Sequence, residues 1–108
     1  MERIGTIYKI ENKVNGKVYI GQTIKKAKYR MNRHKTELNN GNHSNVHLQK
    51  AFNKYGIANL KYSIVEEVSL SKLDEKEVFW ISYHKERNGV YNIEGGGNKY
   101  KIINEETR

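Results

Sequence analysis

The sequence contains no cysteine among its 108 residues. Disulfide scaffolds, thiol chemistry and zinc sites built from thiolates are therefore excluded, and the composition fits a reducing compartment. No apolar run approaches the roughly 20 residues that a membrane span needs, and the first residues lack the layout of a signal peptide. We therefore expect a cytoplasmic protein with no membrane partner.

Hydrophobic residues are also scarce, at 36% of the chain, whereas tyrosine is common, with 8 copies. A chain of this length forms one ordinary domain, so its core must be small and partly aromatic. No glycine-rich loop lies between a predicted strand and a predicted helix, and we therefore expect no nucleotide cofactor.

Positive charge is concentrated in the first half of the chain. Residues 1–61 carry 13 Lys and Arg against 3 Glu. The densest stretch contains no acidic residue and consists of Lys25, Lys26, Lys28, Arg30, Arg33 and Lys35. Such a patch suits a polyanion, although a solvated helix face is the alternative. The stretch is poor in Leu, Phe and Trp, which argues against a membrane surface and favours nucleic acid.

The pattern of apolar residues predicts an α+β fold. Two β-rich runs at residues 6–10 and 17–21 flank Asn15-Gly16, the strongest short signal for a hairpin. Helical patterns follow at about residues 25–40, 45–55 and 71–84, and a third strand is predicted at residues 60–68. We expect a small three-stranded antiparallel β-sheet flanked by about three α-helices.

Three glycines at residues 95–97 mark the expected end of this domain, which we place at residues 1–97. Residues 98–108 have too few apolar groups to pack firmly. They are expected to form a flexible C-terminal tail or the start of a linker.

Tyr8 and Tyr19 lie on the two strands of the predicted hairpin. Strand alternation places both phenols on one face of the sheet. A two-residue turn at Asn15-Gly16 would offset them by four residues, or about 13 Å, whereas a looser six-residue loop would set them opposite each other. The alternative is that both are ordinary core tyrosines.

Three charged or titratable residues have positions that suit phosphate or cation binding. Arg30 and His34 are four residues apart on the first predicted helix, so together they could hold a phosphate, unless they form a solvated surface pair. Glu77 shares a helix face with Leu73 and Trp80. A carboxylate there is either half-buried and paired, or it holds a cation.

Five segments in order resemble the GIY-YIG endonucleases. They are Thr-Ile-Tyr at 6–8 with Tyr-Ile-Gly at 19–21, Arg-x-x-x-His at 30–34, the segment at 43–56 ending in Asn-Lys-x-Gly, Glu-x-x-Trp-Ile at 77–81, and Gly-x-Tyr-Asn at 89–92. The resemblance covers residues 5–97 and is closest to the nuclease domains of phage and intron-encoded homing endonucleases. The first segment departs from the family pattern, since its glycine, Gly5, comes one position early.

The resemblance implies a DNA endonuclease in which Glu77 holds Mg²⁺ or Mn²⁺. Arg30 would hold the scissile phosphate, and Tyr8 would be the general base or its relay once neighbouring cations lower its pKa. His34 would lower that pKa or be the base itself, and Tyr19 would position water or phosphate. The candidates for substrate binding are Lys25, Lys26, Lys28, Arg33, His43 and Asn92, of which Asn92 suits a structural role better.

Two other functions stay open at this point. One is a structure-specific nuclease of the repair type within the same superfamily, and the other is a non-catalytic DNA-binding module that keeps the fold. The sequence contains no helix-turn-helix signature and no zinc module that would read bases. We therefore expect weak contact with DNA, by a monomer or a weak dimer.

Overall fold

Three strands and three α-helices make up the part of the chain that the computed structural model describes, residues 3–93. The strands are β1 (Ile4–Asn12), β2 (Val18–Thr23) and β3 (Leu60–Ser69), and the helices are α1 (Ala27–Asn40), α2 (Val46–Tyr55) and α3 (Leu73–Lys85). Short 3₁₀ turns at Ile57–Asn59 and Leu70–Lys72 precede β3 and α3. The predicted α+β fold is confirmed, whereas the predicted tail at residues 98–108 lies outside the described residues.

The sheet has the strand order β2–β1–β3, and both pairings are antiparallel. The predicted hairpin is present, but its register lies between the two that the sequence suggested. Tyr8 pairs with Gly21, so Tyr19 is offset from Tyr8 by two residues along the ladder. The cause is a four-residue turn at residues 13–16, in which Gly16 adopts a φ of 77° that favours glycine.

Two apolar clusters lie on opposite faces of the sheet. The first packs α1 and α2 against β1 and β3 and consists of Ile10, Leu38, Leu48, Ala51, Leu60 and Tyr91. The second packs α3 against β1 and β2 and consists of Ile7, Val18, Ile20, Leu73 and Ile81. Successive strand residues alternate between these faces, so the sheet is the middle of three layers.

The link between α1 and α2 is short and tightly held. Gly41, at a φ of 77°, ends α1 in the left-handed conformation. Asn45 caps α2, because its side chain accepts a hydrogen bond of 3.0 Å from the Leu48 N–H. These two fixed ends hold the intervening His43 against α1. None of the helices within residues 3–93 is long and apolar enough to cross a membrane.

Candidate active site

Tyr8 lies in the middle of the central strand and is only 1% exposed. Its ring packs over Gly21 on β2, where a Cβ atom would collide with the phenol ring and its hydroxyl. Tyr19 lies on the same face and is half-buried, so the prediction of a shared face is confirmed. Tyr8 is therefore as buried as a core residue, but its hydroxyl group forms a hydrogen bond with a polar side chain.

That partner is His34, which projects from α1 toward the sheet. Its Nε2 lies 2.6 Å from the Tyr8 hydroxyl oxygen, and the residue is only 1% exposed. Arg30 lies one turn earlier on α1, is half-buried, and acts through its charge on both His34 and Tyr8. The alternative of a solvated surface pair is therefore wrong for His34, because burial removes its ring from water.

His43 lies behind His34. Its Nε2 is 2.7 Å from His34 Nδ1, and its own Nδ1 accepts a hydrogen bond of 3.0 Å from the backbone N–H of Asn45. Its side chain is 1% exposed. Because both ring nitrogens contact the protein, this position favours a role in holding His34 over the DNA contact predicted for His43.

Glu77 lies on the other face of the sheet, on the buried side of α3. Gln22, which follows Gly21 on β2 and so points to the opposite face, joins it there. The Gln22 Nε2 donates to Glu77 Oε1 at 2.8 Å and to Asp74 Oδ1 at 2.7 Å. Sequence reasoning missed both Gln22 and Asp74. The spacing of Asp74 three residues before Glu77 on one helix was an available signal.

Asn92 is tied to the backbone of β2. Its Oδ1 accepts a hydrogen bond of 2.9 Å from the Ile20 N–H, and its Nδ2 donates to the Ile20 carbonyl at 2.8 Å. The side chain thus imitates a neighbouring strand at the outer edge of β2, next to the bridge between Val18 and Val90. This geometry favours the structural role over contact with substrate.

Burial controls the ionisation of the two phenols. It raises the pKa of Tyr8, with the charges of Tyr19 and Glu77 adding to the rise and Arg30 opposing it. Burial also raises the pKa of Tyr19, which Arg30 likewise opposes. The expectation that neighbouring cations lower the pKa of Tyr8 is therefore wrong for the protein alone, because burial outweighs Arg30.

The pKa values of the two imidazoles, those of His34 and His43, are lowered, which favours the neutral rings. Burial lowers the pKa of His34 to about 3, and the positive charge of Arg30 adds to this effect. Burial also lowers the pKa of His43, against the opposing charge of Glu37. Both rings are consequently neutral near pH 7, and the hydrogen bonds between them join uncharged groups.

The sequence profile of the GIY-YIG catalytic domain matches residues 4–94. The chain belongs to this family. Its GIY-YIG domain is 40% identical over 89 residues to "Intron-associated endonuclease 1" of Enterobacteria phage T4, in a match that covers 81% of this chain and 36% of that protein. It is 28% identical over 93 residues to "Uncharacterized protein 019R" of Invertebrate iridescent virus 6, with 86% and 33% covered. The chain therefore spans about a third of the length of these relatives.

Solved structures show the same similarity. The catalytic domain of homing endonuclease I-TevI superimposes with a TM-score of 0.76 at 37% identity, covering 83% of this chain and 98% of that one. A mutant of the catalytic domain of intron endonuclease I-TevI gives a TM-score of 0.77 at 35% identity, covering 87% and 97%. The resemblance seen in the sequence is confirmed, and the chain shares the fold of these catalytic domains.

The carboxylates of this GIY-YIG domain form a donor set that suits a hard divalent cation. Mg²⁺ binds through oxygen atoms, often to one or two carboxylates, and keeps several waters. Glu77 is 4% exposed and has Asp74 beside it, bridged by the Gln22 amide. Burial raises the pKa of Glu77, as does the charge of Asp74, while Gln22 lowers it. A bound cation would offset both the cost of burying the charged Glu77 carboxylate and its repulsion by Asp74.

A second group of ligand atoms lies on the opposite face of the sheet. His34, Glu37 and His43 each offer one atom, all within 4.8 Å of one another. The two imidazole nitrogens are already hydrogen-bonded to each other, and a nitrogen-rich set suits Zn²⁺ or copper better than Mg²⁺. The oxygen donors of Glu77 and Asp74 therefore fit Mg²⁺ better.

The predicted basic stretch forms an exposed surface around the start of α1. Three members of the stretch, Lys25, Arg30 and Arg33, line a pocket of about 170 Å³ together with Thr23 and Tyr29. Arg30 is half-buried, whereas the other members of the stretch are exposed, namely Lys25, Lys26, Lys28, Arg33 and Lys35. One of them, Arg33, is also paired with a carboxylate oxygen of Glu37 at 3.0 Å. The surface suits phosphate groups next to Arg30.

A second basic surface follows α2, and sequence reasoning missed it. His47, Lys50 and Lys54 recur on one side of the helix, and with Lys17 they line a pocket of about 220 Å³. Seven residues of helix rise about 10 Å, which matches about three nucleotides of one DNA strand. The row begins four residues after His43, at the N-terminal end of α2.

Proposed function

We propose that this GIY-YIG domain is a DNA endonuclease that requires Mg²⁺ or Mn²⁺ and forms the catalytic part of a homing-type enzyme. The observation that carries the proposal is the hydrogen bond of 2.6 Å between Tyr8 and His34, buried beside Arg30. Buried titratable groups of this kind cost free energy, and they concentrate where chemistry needs them. The name of the phage T4 relative, an intron-associated endonuclease, supports the homing type.

Arg30 is the proposed holder of the scissile phosphate. Hydrolysis of a phosphodiester builds negative charge on the phosphoryl oxygens, which a positioned cation stabilises. Arg30 lies between the basic pocket and Tyr8, so a phosphate bound there would be next to the phenol. A guanidinium is permanently charged and binds two oxygens at once, which suits this role.

Glu77 is the proposed ligand of the divalent cation, with Asp74 beside it. A bound cation would supply positive charge near the phosphate and would make an attacking water more acidic. Gln22 fixes the orientation of both carboxylates through its two hydrogen bonds. Charge neutralisation at Glu77 also removes one of the causes that raise the pKa of Tyr8.

Tyr8 is the proposed general base, which accepts the proton of the attacking water. In this role Tyr8 acts as a phenolate, which Arg30 and the hydrogen bond with His34 stabilise, and it becomes the neutral phenol when it takes up the proton. Tyr19 contacts the edge of the His34 ring and is the proposed positioner of water or phosphate. In this division of roles the proposed base, Tyr8, is the fully buried phenol, and the proposed positioner, Tyr19, is the half-buried one.

DNA is the proposed partner, and the chain acts on it as a monomer or a weak dimer. The two basic surfaces lie on α1 and α2, the helices on either side of the link that holds His43 against His34. Phosphate contacts of this kind position a duplex without reading its sequence. The Tyr8–His34 network argues against a non-catalytic module, since DNA binding alone needs no buried titratable chain.

The test is incubation of the chain with long linear DNA, with and without Mg²⁺ or Mn²⁺, followed by sequencing of the ends. We expect cleavage only with the cation and only when Glu77 is present. The variant Glu77→Ala should be inactive, whereas Glu75→Ala, an exposed carboxylate on the same helix, should cleave normally. Cation-dependent cleavage by Glu77→Ala would refute the assignment.

Parallel reactions on nicked, bubbled and intact duplexes separate the homing type from the repair type. A homing-type domain should cut intact duplex at least as well as the other two. A strong preference for the nicked or bubbled substrate would contradict the homing type while leaving the nuclease assignment intact.

A further inference from the structure

We propose that the protons of the buried chain have one fixed order, running from the Asn45 backbone through His43 and His34 to Tyr8. In this order His34 donates a hydrogen bond to the Tyr8 oxygen, and His43 is the positioning residue that enforces the direction. The proton order itself follows from the hydrogen bonds, and only its catalytic consequence rests on the proposed function.

The first step is the contact between Asn45 and His43. A backbone N–H can only donate, and the one of Asn45 lies 3.0 Å from His43 Nδ1. That nitrogen must therefore be an acceptor without a proton. A neutral imidazole carries one proton, so His43 holds its proton on Nε2.

The second step passes this direction to His34. The Nε2–H of His43 has His34 Nδ1 at 2.7 Å, whereas the nearest Glu37 oxygen is at 3.9 Å, beyond hydrogen-bond range. The two rings lie nearly parallel, with an angle of 19° between their planes. His34 Nδ1 thus accepts, and the single proton of His34 is left on Nε2.

The third step reaches Tyr8. The His34 Nε2–H points at the Tyr8 oxygen, 2.6 Å away, so the phenol accepts this bond and its own proton is directed elsewhere. A phenolate formed by loss of that proton keeps the His34 donor in place. Under the opposite order, His34 Nε2 would accept the phenol proton, and His34 would be the base.

Neutrality of the two imidazoles is the condition for this order. Arg30 and Arg33 act on His34 with positive charge, as does His43 when protonated, and all three oppose protonation of that ring. On the side of His43, Glu37 is the carboxylate whose charge favours protonation, and burial outweighs it. Burial lowers the pKa of both rings, which supports one proton on each at pH 7.

The direct test is the tautomer of each ring, measured by long-range ¹H–¹⁵N NMR on the ¹⁵N-labelled chain at pH 7, without cation or DNA. The chain has 4 histidines, and His47→Gln and His84→Gln assign the two outside the network. We expect the Nε2–H tautomer for both His34 and His43. A protonated Nδ1 on His34, or an imidazolium, would overturn the proposal whether or not the chain cleaves DNA.

A pair of variants tests the role of His43. His43→Gln keeps an N–H donor for His34, whereas His43→Phe fills similar space without one. We expect His43→Phe to lose the single tautomer of His34 and to lower kcat by about 10–100-fold, as loss of an orienting partner does. KM should stay within about twofold, and His43→Gln should recover most of kcat.

The alternative outcomes are distinct. If His34 keeps its tautomer in His43→Phe, or if both variants lose kcat equally, His43 does not enforce the order. If the parent shows the expected tautomers but never cleaves DNA, the proton order stands and the proposed function fails.

Discussion

The two faces of the sheet carry different chemistry, although one strand serves both. The face toward α1 holds neutral, nitrogen-rich groups, with His34 and His43 hydrogen-bonded to each other and to a phenol. The face toward α3 holds carboxylates that share the amide of Gln22. Strand β2 contributes to both faces because its residues alternate, with Tyr19 on the first and Gln22 on the second.

This difference has a physical basis in the cost of burial. A neutral imidazole can be buried when both its nitrogens are hydrogen-bonded, whereas a carboxylate needs a donor or a cation to offset its charge. The oxygen donors that suit Mg²⁺ therefore lie on a different face from the imidazoles, which would compete as ligands. Substitutions on the two faces should differ in whether added cation rescues them, although Glu77 still acts through its charge on Tyr8 and Tyr19.

The largest expected effect is on the tyrosine face. Tyr8→Phe should slow cleavage by roughly 10²–10⁴, because general acid–base assistance is lost while the buried ring is kept. Tyr19→Phe should cost less if that phenol only positions. Single-turnover cleavage under saturating cation measures both. The control is Tyr83→Phe on the outer side of α3, which should have no effect. Equal losses for Tyr8→Phe and Tyr83→Phe would remove Tyr8 from the mechanism.

A smaller effect, different in kind, is expected on the carboxylate face. Gln22→Leu removes the donor that orients Glu77 and should weaken cation affinity by about 10–100-fold. Higher cation concentration should then restore cleavage, whereas it should not rescue His43→Phe. Cleavage rates measured across a cation titration distinguish the two. If both variants respond alike, the faces are not independent.

Acid should destabilise the protein through the histidine face. The folded pKa of His34 is lowered, so the unfolded state binds more protons between pH 6.5 and about 3, and stability is lost as pH falls through that range. From pH 6.5 to 5 the loss should be about 1–2 kcal/mol. The raised pKa of Glu77 has the opposite effect on stability, because its carboxyl group takes up a proton more readily in the folded state.

Urea unfolding at pH 7 and pH 5 measures this dependence, and the difference between the parent and His34→Gln isolates the His34 contribution. The exposed His47→Gln serves as the control and should keep the dependence of the parent. A parent that is equally stable at both pH values, with His34→Gln unchanged, would contradict a neutral buried His34.

The elements of the site that depend on local periodicity were predictable from the sequence. Strand alternation places Tyr8 and Tyr19 on one face whatever the turn, and a helix brings residues four apart together, as with Arg30 and His34. The same periodicity places Glu77 on the buried side of α3. These inferences need only the type of each element, not its packing.

The parts that depend on packing between elements were not predictable. The hairpin register follows from the conformation of Gly16 in the turn, which composition does not determine. His43 meets His34 only because the link between α1 and α2 is short and capped. Gln22 reaches the carboxylates only because α3 packs on β2. Each contact joins residues whose relation is fixed by the tertiary fold.

The smallest expected effect concerns the two basic surfaces. If DNA follows α2 as well as α1, Lys50→Gln with Lys54→Gln should make the log–log salt dependence of binding shallower by about 1.8, because each released phosphate contact contributes about 0.9. The measurement is fluorescence anisotropy on duplex DNA without cation, in the Glu77→Ala background, which prevents cleavage. The matched control neutralises Lys72 and Lys85 at the two ends of α3 and should leave the slope unchanged.

The basic surface around α1 provides the reference for this change in slope. Neutralising Lys25, Lys26 and Lys28 together should lower the slope by two to three units, by the same release of counterions. If only the α1 variant changes the slope, the duplex crosses the site without following α2. If the Lys50 and Lys54 pair changes it by its full share, the phosphates extend about three nucleotides beyond His43 along α2. The duplex would then have a defined direction across the face that carries Tyr8, with the proposed cation ligands on the opposite face, toward α3.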